Sequence, residues 1–155
     1  MTGQQAIVEA IRQMIEGEEY TPLERMIADL TPEQATRRPV GSPYSIATIV
    51  WHTWFWINVW VVAIGGAEDP YGGHDPASDL PEISVEEWSA TRERVLEVLH
   101  QARALAATED LTRNTWRGQT VGQNLLQITV HTAYHIGQIA LLRQELGLWP
   151  PTGGE

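Results

Sequence analysis

The sequence predicts an all-α protein, a four-helix bundle with a long connection between its second and third helices. Helix-start signals of the form Ser/Thr-x-x-Glu/Gln recur along the 155 residues, whereas the alternation typical of β-strands is nearly absent. Glycine and proline divide the chain into helical segments of about twenty residues, the length of bundle helices. This length suits one domain with one hydrophobic core, which we expect to comprise residues 1–155.

The start signals and the glycine stops together position the helices. We expect four helices, at about residues 4–29, 45–64, 85–107 and 121–146. The start signals are TPLE (21–24), TPEQ (31–34), SVEE (84–87) and TVGQ (120–123). The first helix has weak points at Gly17 and at Thr21-Pro22, where we expect that it can break. A short helical turn follows near residues 32–36.

The second helix, IATIVWHTWFWINVWVVAI, is apolar almost all round, and residues 51–60 hold four of the seven tryptophans. Such a helix is either buried on all sides or spans a membrane. The tryptophans lie in mid-segment rather than in terminal belts, and the segment also contains His52 and Asn58, so we favour burial. We expect one face to pack in the bundle core. A second subunit would cover the other face, which includes some of Trp51, Trp54, Phe55 and Trp60.

Residues 65–83, GGAEDPYGGHDPASDLPEI, form a long Gly/Pro/Asp-rich connection to the third helix. It either closes over a functional site or merely joins two helices, and both roles are open at this point. The third helix is amphipathic. Its expected apolar stripe consists of Val85, Trp88, Val95, Leu96, Leu99 and Ala102.

Composition excludes several classes of function. A net charge of −10 and the lack of a basic run argue against a nucleic-acid partner. The absence of cysteine excludes disulfides, Cys-ligated zinc and a cysteine nucleophile. The N-terminal residues lack the basic and apolar regions of a signal peptide, so we expect a soluble cytoplasmic protein without a membrane partner.

Two of the five histidines lie four residues apart in HTAYHIGQ (131–138). That spacing puts His131 and His135 on one helix face, where both imidazoles can reach one metal ion. The apolar residues Ile128 and Ile139 share this face, so both rings should point into the core. The glutamate of the zinc-peptidase motif His-Glu-x-x-His is missing. The pair alone is therefore compatible with a metal site or with two structural histidines.

A third histidine on another helix favours the metal site. His52 lies on an apolar stripe of the second helix, where nothing nearby explains a histidine. In a simply alternating bundle the second and fourth helices run parallel, and His52 can share a level with His131 and His135. Three imidazoles with an open fourth position are typical of catalytic metal sites. We expect His74 to be exposed in the connection and His100 to lie on the surface.

Two segments carry a family likeness: LTPEQATRRPVGSPYSIATIVWHTWFWINVW (30–60) and HTAYHIGQIALLRQELG (131–147). In the combination of a Ser-Ile-Ala helix start, a following histidine and a later His-x-x-x-His-x-Gly-Gln-Ile, the chain resembles the DinB/YfiT-like superfamily of metalloenzymes. The resemblance covers about residues 20–146. It implies a DinB-like four-helix bundle in which His52, His131 and His135 bind a divalent metal. Zinc or nickel would be the most common ion, with iron in some relatives.

The resemblance also implies that homodimers are common and that some relatives are thiol-dependent transferases or isomerases. Since the chain has no cysteine of its own, our first hypothesis is a metal-dependent S-transferase that uses a low-molecular-weight thiol and a small-molecule substrate. The alternatives are a metal-dependent hydrolase and a non-enzymatic metal-binding dimer. Candidates for orienting a ligand ring or the substrate are Gln138, Tyr134, Asn58 and Thr53. Candidates for meeting a thiol's carboxylates are Arg37, Arg38, Arg113 and Arg117.

Overall fold

The computed structural model of the protein describes residues 2–17 and 20–152. Within these ranges the chain forms six α-helices and no β-strand, so the all-α prediction is confirmed. The helices are α1 (Gly3–Glu16), α2 (Leu23–Ala28), α3 (Pro32–Thr36), α4 (Ile46–Ile64), α5 (Trp88–Thr108) and α6 (Val121–Glu145).

The first predicted helix is broken at the position that the sequence indicates. Gly17 ends α1 with a φ of 57°, a left-handed conformation. A Cβ atom added there would lie 2.5 Å from the backbone oxygen of Tyr20. Glycine is therefore required for the chain to turn away from the axis of α1 and begin α2.

Of the four predicted capping boxes, two form at helix starts and two do not. Thr31 caps α3 and Thr120 caps α6. In each box, the side chain of the glutamine three residues later accepts a hydrogen bond from the backbone N–H of the capping threonine. The predicted cap at Thr21 is wrong, because α2 begins at Leu23 and no side chain caps it. Ser84 and Glu87 do exchange the bonds of a box, but they form a turn just before α5, which begins at Trp88.

The helices α1, α4, α5 and α6 form the bundle, and α4 packs against both α5 and α6. Ile49, near the start of α4, lines one cleft with Leu142, near the end of α6. Trp60, near the end of α4, has its ring centroid 5.2 Å from that of His131 in the middle of α6. The two helices are therefore antiparallel, and the expected parallel arrangement is wrong.

The physical reason is the long connection, which returns along the bundle instead of turning tightly. Trp54 in the first half of α4 lies 5.4 Å from the guanidinium of Arg94 in the first half of α5. Arg113, just beyond the end of α5, donates to the backbone oxygen of Ile64 at the end of α4. Thus α4 and α5 are parallel. Short loops make neighbouring helices antiparallel, but a connection of this length permits a crossover.

The connection covers much of the aromatic face of α4. The ring of His74 lies 5.3 Å from that of Trp51 and 4.7 Å from that of Phe55, and the ring of Tyr71 stacks on Phe55. The chain's own connection therefore covers the part of this face that holds Trp51 and Phe55, and the homodimer stays a prediction. His74 is half-buried rather than exposed, whereas His100 is exposed as predicted.

Helix α4 is long and apolar enough to cross a membrane by length and composition, the one such helix in the described ranges. Of its most apolar window, 56% is buried inside the bundle. This burial is what a core helix of a bundle shows, and the length and composition of one helix are weak evidence for a span. Location in the cytoplasm stays a prediction.

A buried arginine pairs with a partly buried aspartate where α2 meets the end of α6. Arg143 is 1% exposed, and its guanidinium makes a two-pronged contact with Asp29 at 2.8 and 3.0 Å. The same guanidinium donates to the backbone oxygens of Met26 and Leu148. Burial by itself would raise the pKa of Asp29, but hydrogen bonds from Arg143 and Thr152 lower it to about 2.

Candidate metal centre

The structure brings together the three histidines that the sequence singled out. Their nearest ring nitrogens all lie within 4.8 Å of one another. Nε2 of His131 is 3.2 Å from Nε2 of His52 and 3.0 Å from Nε2 of His135. The position of each ring follows from its helix, because His131 and His135 share one face of α6 and His52 faces them from α4.

His52 is oriented by the connection. Its Nδ1 lies 2.9 Å from the backbone oxygen of Asp79 and 3.3 Å from the Asp79 carboxylate. The same carboxylate accepts a hydrogen bond of 2.7 Å from Nε1 of Trp56. The sequence does not single out Asp79, since nothing distinguishes it from Glu68, Asp69 or Asp75 until the connection is folded.

His135 is oriented from within α6. Its Nδ1 lies 2.6 Å from Oε1 of Gln138, and Nε2 of Gln138 donates to the hydroxyl of Tyr134 at 3.1 Å. Two of the four predicted orienting residues are therefore in place. The other two are not, because the Thr53 hydroxyl donates to the backbone of Ile49 and Asn58 makes no described bond to a histidine ring.

The hydrogen positions on these rings follow from their partners. Asp79 and the Oε1 of Gln138 are acceptors, so the Nδ1 atoms of His52 and His135 carry hydrogens. In a neutral imidazole the other nitrogen is then a bare lone pair, and both lone pairs point to Nε2 of His131. A neutral His131 has one hydrogen to offer, so one of the two contacts joins two lone pairs.

A positive charge on His131 or His135 does not relieve this shortage of donors. Burial, and then the charges of His135 and His52, lower the pKa of His131 to about 3. Burial is also the largest influence on His135, whose pKa is lowered to about 4. Both rings are therefore neutral near pH 7. Three imidazoles that turn their Nε2 atoms to one point, with too few hydrogens between them, are matched to a cation there.

The distances between the ring nitrogens of the site also fit a bound ion. Two nitrogens held about 2.0–2.1 Å from a tetrahedral zinc ion lie roughly 3.4 Å apart. The observed separations of 3.0 and 3.2 Å are close to this value. Among the described residues, no carboxylate or cysteine belongs to the group. Three protein ligands leave at least one coordination position open, as catalytic metal sites do.

Hollows lie on both sides of the histidines in the groove between α4 and α6. One, of about 530 Å³, has almost entirely apolar walls. It is lined by Trp60, Leu126, Gln127, Val130, His131 and Tyr134. The other, of about 360 Å³, contains Gln138 and is bounded by the loop before α4, including Ser42. Both adjoin side chains of the site.

The four loop arginines do not reach the histidines. Arg38 pairs with Glu82, and Arg37 donates to the backbone of Leu146. Arg113 donates to Ile64 and Glu109, and Arg117 stacks on Trp116 with its guanidinium 3.9 Å from the ring centre. The sequence expectation that they could meet a thiol's carboxylates gains no support from these contacts.

The sequence model of the DinB superfamily matches residues 18–139 of the chain. A crystal structure of a DinB family protein from Exiguobacterium sibiricum resembles this fold with a TM-score of 0.67 and 18% identity, over 97% of this chain and 95% of that one. A DinB-like protein from Bacillus cereus gives a TM-score of 0.54 and 18% identity, over 99% and 95%. At this identity the likeness concerns the fold alone. No curated protein matches the chain.

Proposed function

The chain belongs to the DinB superfamily, and from this membership and the three-histidine group we propose that it is a divalent-metal protein that works as a thiol S-transferase. His52, His131 and His135 would hold the ion, with zinc or nickel as the first candidates and iron as a further one. The single observation that carries the metal site is the convergence of three Nε2 atoms with too few hydrogens between them. A cation at that point would bind their lone pairs and so replace the unfavourable contact between them.

When bound, a divalent ion would lower the pKa of a coordinated thiol and make it a nucleophile near neutral pH. The sulfur must come from a small thiol, because the chain has no cysteine. The thiol sulfur would form a bond to an electrophilic carbon of the second substrate as the bond from that carbon to its leaving group breaks. The leaving group would depart with the bonding electrons, as chloride does from monochlorobimane, and the thiol proton would pass to solvent. The chain's part is to hold the two molecules next to each other.

The apolar hollow beside His131 supports a substrate with an apolar body. Trp60 and Tyr134 offer aromatic surface to such a group, and the six lining residues carry no charge at neutral pH. The hollow that contains Gln138 has more polar walls and would suit the thiol.

Hydrolysis has less support. A hydrolase needs a proton acceptor beside the open position of the ion. The carboxylate of Asp79 contacts Nδ1 of His52, on the side of the ring away from the convergent Nε2 atoms. Asp79 is therefore placed to orient the ring rather than to accept a proton from a water molecule at the ion.

Metal analysis with variants tests the site. We expect one divalent ion per chain in the purified wild-type protein and strongly reduced metal in His52→Ala and His135→Ala. The matched control is His100→Ala, whose side chain is exposed and outside the group. Wild-type metal content in His52→Ala would exclude the site.

A thiol panel tests the reaction. Metal-loaded protein is mixed with several low-molecular-weight thiols and a fluorogenic electrophile such as monochlorobimane. We expect acceleration with at least one thiol, and its loss in His135→Ala but not in His100→Ala. If protein that holds metal accelerates the reaction with no thiol, the transferase activity is excluded and only metal binding remains.

We also propose a homodimer, with the outer face of α6 as the contact between two copies. Leu126, Val130 and Leu141 are 51%, 69% and 61% exposed on this helix. No Asp, Glu, Lys or Arg occurs from residue 121 to 142, although each copy carries a net charge of −10. Two acidic copies repel each other least through an uncharged face. A second copy there would cover the open side of the apolar hollow.

A further inference from the structure

The three rings of the site differ in one respect. Nδ1 of His52 and Nδ1 of His135 each have an acceptor, at 2.9 and 2.6 Å. Among the residues that the structure describes, Nδ1 of His131 is buried and has no hydrogen-bond partner. The Oε1 atom of Gln127 is likewise buried without a partner. A donor-capable and an acceptor atom are thus both unsatisfied next to the same hollow.

Helix geometry makes these two atoms possible partners. Gln127 precedes His131 by four residues on α6, and such residues have Cβ atoms about 5–6 Å apart on one helix face. The Cα–Cβ bonds of a helix tilt toward its N-terminus, so the ring of His131 leans over the turn that holds Gln127. A glutamine side chain is long enough to reach the ring by a change of rotamer.

Without a metal ion, the hydrogen of His131 belongs on Nε2. A neutral imidazole carries one hydrogen, and Nδ1 has no acceptor for it. Nε2 faces the lone pairs of His52 and His135 at 3.2 and 3.0 Å and can donate to one of them. His131 is thus the Nε2–H tautomer, whereas the other two rings are Nδ1–H tautomers.

An ion at the centre requires the opposite arrangement at His131. A nitrogen that binds a metal must present its lone pair, so the hydrogen has to leave Nε2. Solvent takes up that proton and returns one to Nδ1, and the net charge of the ring does not change. The new Nδ1–H is buried and needs an acceptor.

We propose that His131 changes tautomer when the metal binds and that Gln127 is the positioning residue that accepts the hydrogen bond from its Nδ1. Gln127 would then accept the hydrogen bond from Nδ1 of His131, as Asp79 accepts that of His52 and Gln138 that of His135. This inference rests on the proposed metal site. Loss of such a partner of a metal ligand typically lowers metal affinity about 10–100-fold.

Long-range ¹H–¹⁵N NMR of the histidine rings tests the tautomers in wild-type protein. We expect Nε2–H at His131 in chelator-treated protein, with Nδ1–H at His52 and His135. After zinc is added, we expect Nδ1–H on all three rings. His131 found as Nδ1–H before zinc is added would overturn the proposed switch.

Zinc titration of variants tests the acceptor. Gln127→Met keeps the length of the side chain but removes the oxygen, and should weaken zinc binding about 10–100-fold. Gln127→Glu restores an acceptor and should recover most of the affinity. Gln144→Met, on the exposed face of the same helix, is the control and should bind zinc as the wild type does.

The two proposals fail in different ways. If wild-type protein takes up no divalent ion, the proposed function fails and this inference fails with it. If Gln127→Met binds zinc as tightly as the wild type, only the role of Gln127 is excluded. The NMR measurement uses the unaltered protein, so it decides the tautomers even if Gln127→Met does not fold.

Discussion

His52 of α4 and Asp79 of the connection are in direct contact, with 2.9 Å between Nδ1 of the ring and the backbone oxygen of Asp79. The residues are 27 positions apart in the chain and meet because the connection returns along the outside of α4. The connection therefore does more than join two helices, since it fixes the tautomer of a candidate ligand.

We predict that Asp79→Asn weakens metal binding by roughly tenfold, because His52 loses the negative charge that favours its Nδ1–H form. The backbone oxygen remains, so the loss should be smaller than in His52→Ala. Calorimetric titration with zinc measures it. Glu68→Gln, an exposed carboxylate in the same connection, is the control. Equal affinities of wild type and Asp79→Asn would show that the backbone contact suffices.

The stability of the metal-free protein should fall between about pH 6.5 and pH 3. The pKa values of His131 and His135 are lowered in the fold from 6.5 to about 3 and about 4, chiefly by burial. The unfolded chain then binds more protons in this interval, so the stability present above pH 6.5 is lost as the pH falls. Asp29, with a pKa lowered from 3.8 to about 2, acts at lower pH.

Thermal unfolding of chelator-treated protein at a series of pH values measures this effect. His131→Gln removes one of the two buried rings and should reduce the dependence on pH within the same interval. An unchanged dependence in His131→Gln would assign the effect to other groups.

We predict that Arg143→Met destabilises the protein by about 3–5 kcal/mol, because it leaves the carboxylate of Asp29 partly buried without its partner. The arginine also joins α2 to the segment after α6 through Met26 and Leu148. Urea unfolding measures the change. Arg25→Met, at an exposed position of α2, should stay within about 0.5 kcal/mol of the wild type.

Gly17→Ala should destabilise the protein by about 1–3 kcal/mol. An added Cβ meets the backbone oxygen of Tyr20 at 2.5 Å, and the φ of 57° is unfavourable for alanine. Gly3→Ala is the control, since nothing lies within 4 Å of the added atom. The same unfolding experiment compares them, and equal stabilities would contradict the strained turn.

Val130→Asp should convert the proposed dimer to monomers. The side chain is 69% exposed in the single chain, so the fold tolerates a charge there, but two copies would bring like charges together. Light scattering after size-exclusion chromatography measures the mass. Val40→Asp, at an exposed position in the loop before α4, should leave the dimer intact. A wild-type protein that is monomeric at high concentration would contradict the proposal.

Local chemistry determined much of the fold in advance. The glycines after α1 and α4, and the cap signals before α3 and α6, act through neighbouring residues, so the sequence shows them directly. The apolar stripe of α5 from Trp88 to Ala102 and the inward face of α6 follow from helical periodicity. Val85, which we expected in that stripe, lies before α5 and is 37% exposed. The cap at Thr21 did not form, because α2 begins at Leu23 and the cap position falls on Pro22, whose side chain cannot accept a hydrogen bond.

The sequence by itself determined which three histidines belong together, because their residue type is unusual on apolar helix faces and their spacing suits one ion. The tertiary structure alone decided that α4 and α6 are antiparallel, since the course of the long connection depends on packing. It also decided that Asp79 orients His52 and that Nδ1 of His131 and Oε1 of Gln127 are both unsatisfied. Hydrogen-bond partners are a property of positions in space, and periodicity along the chain does not specify them.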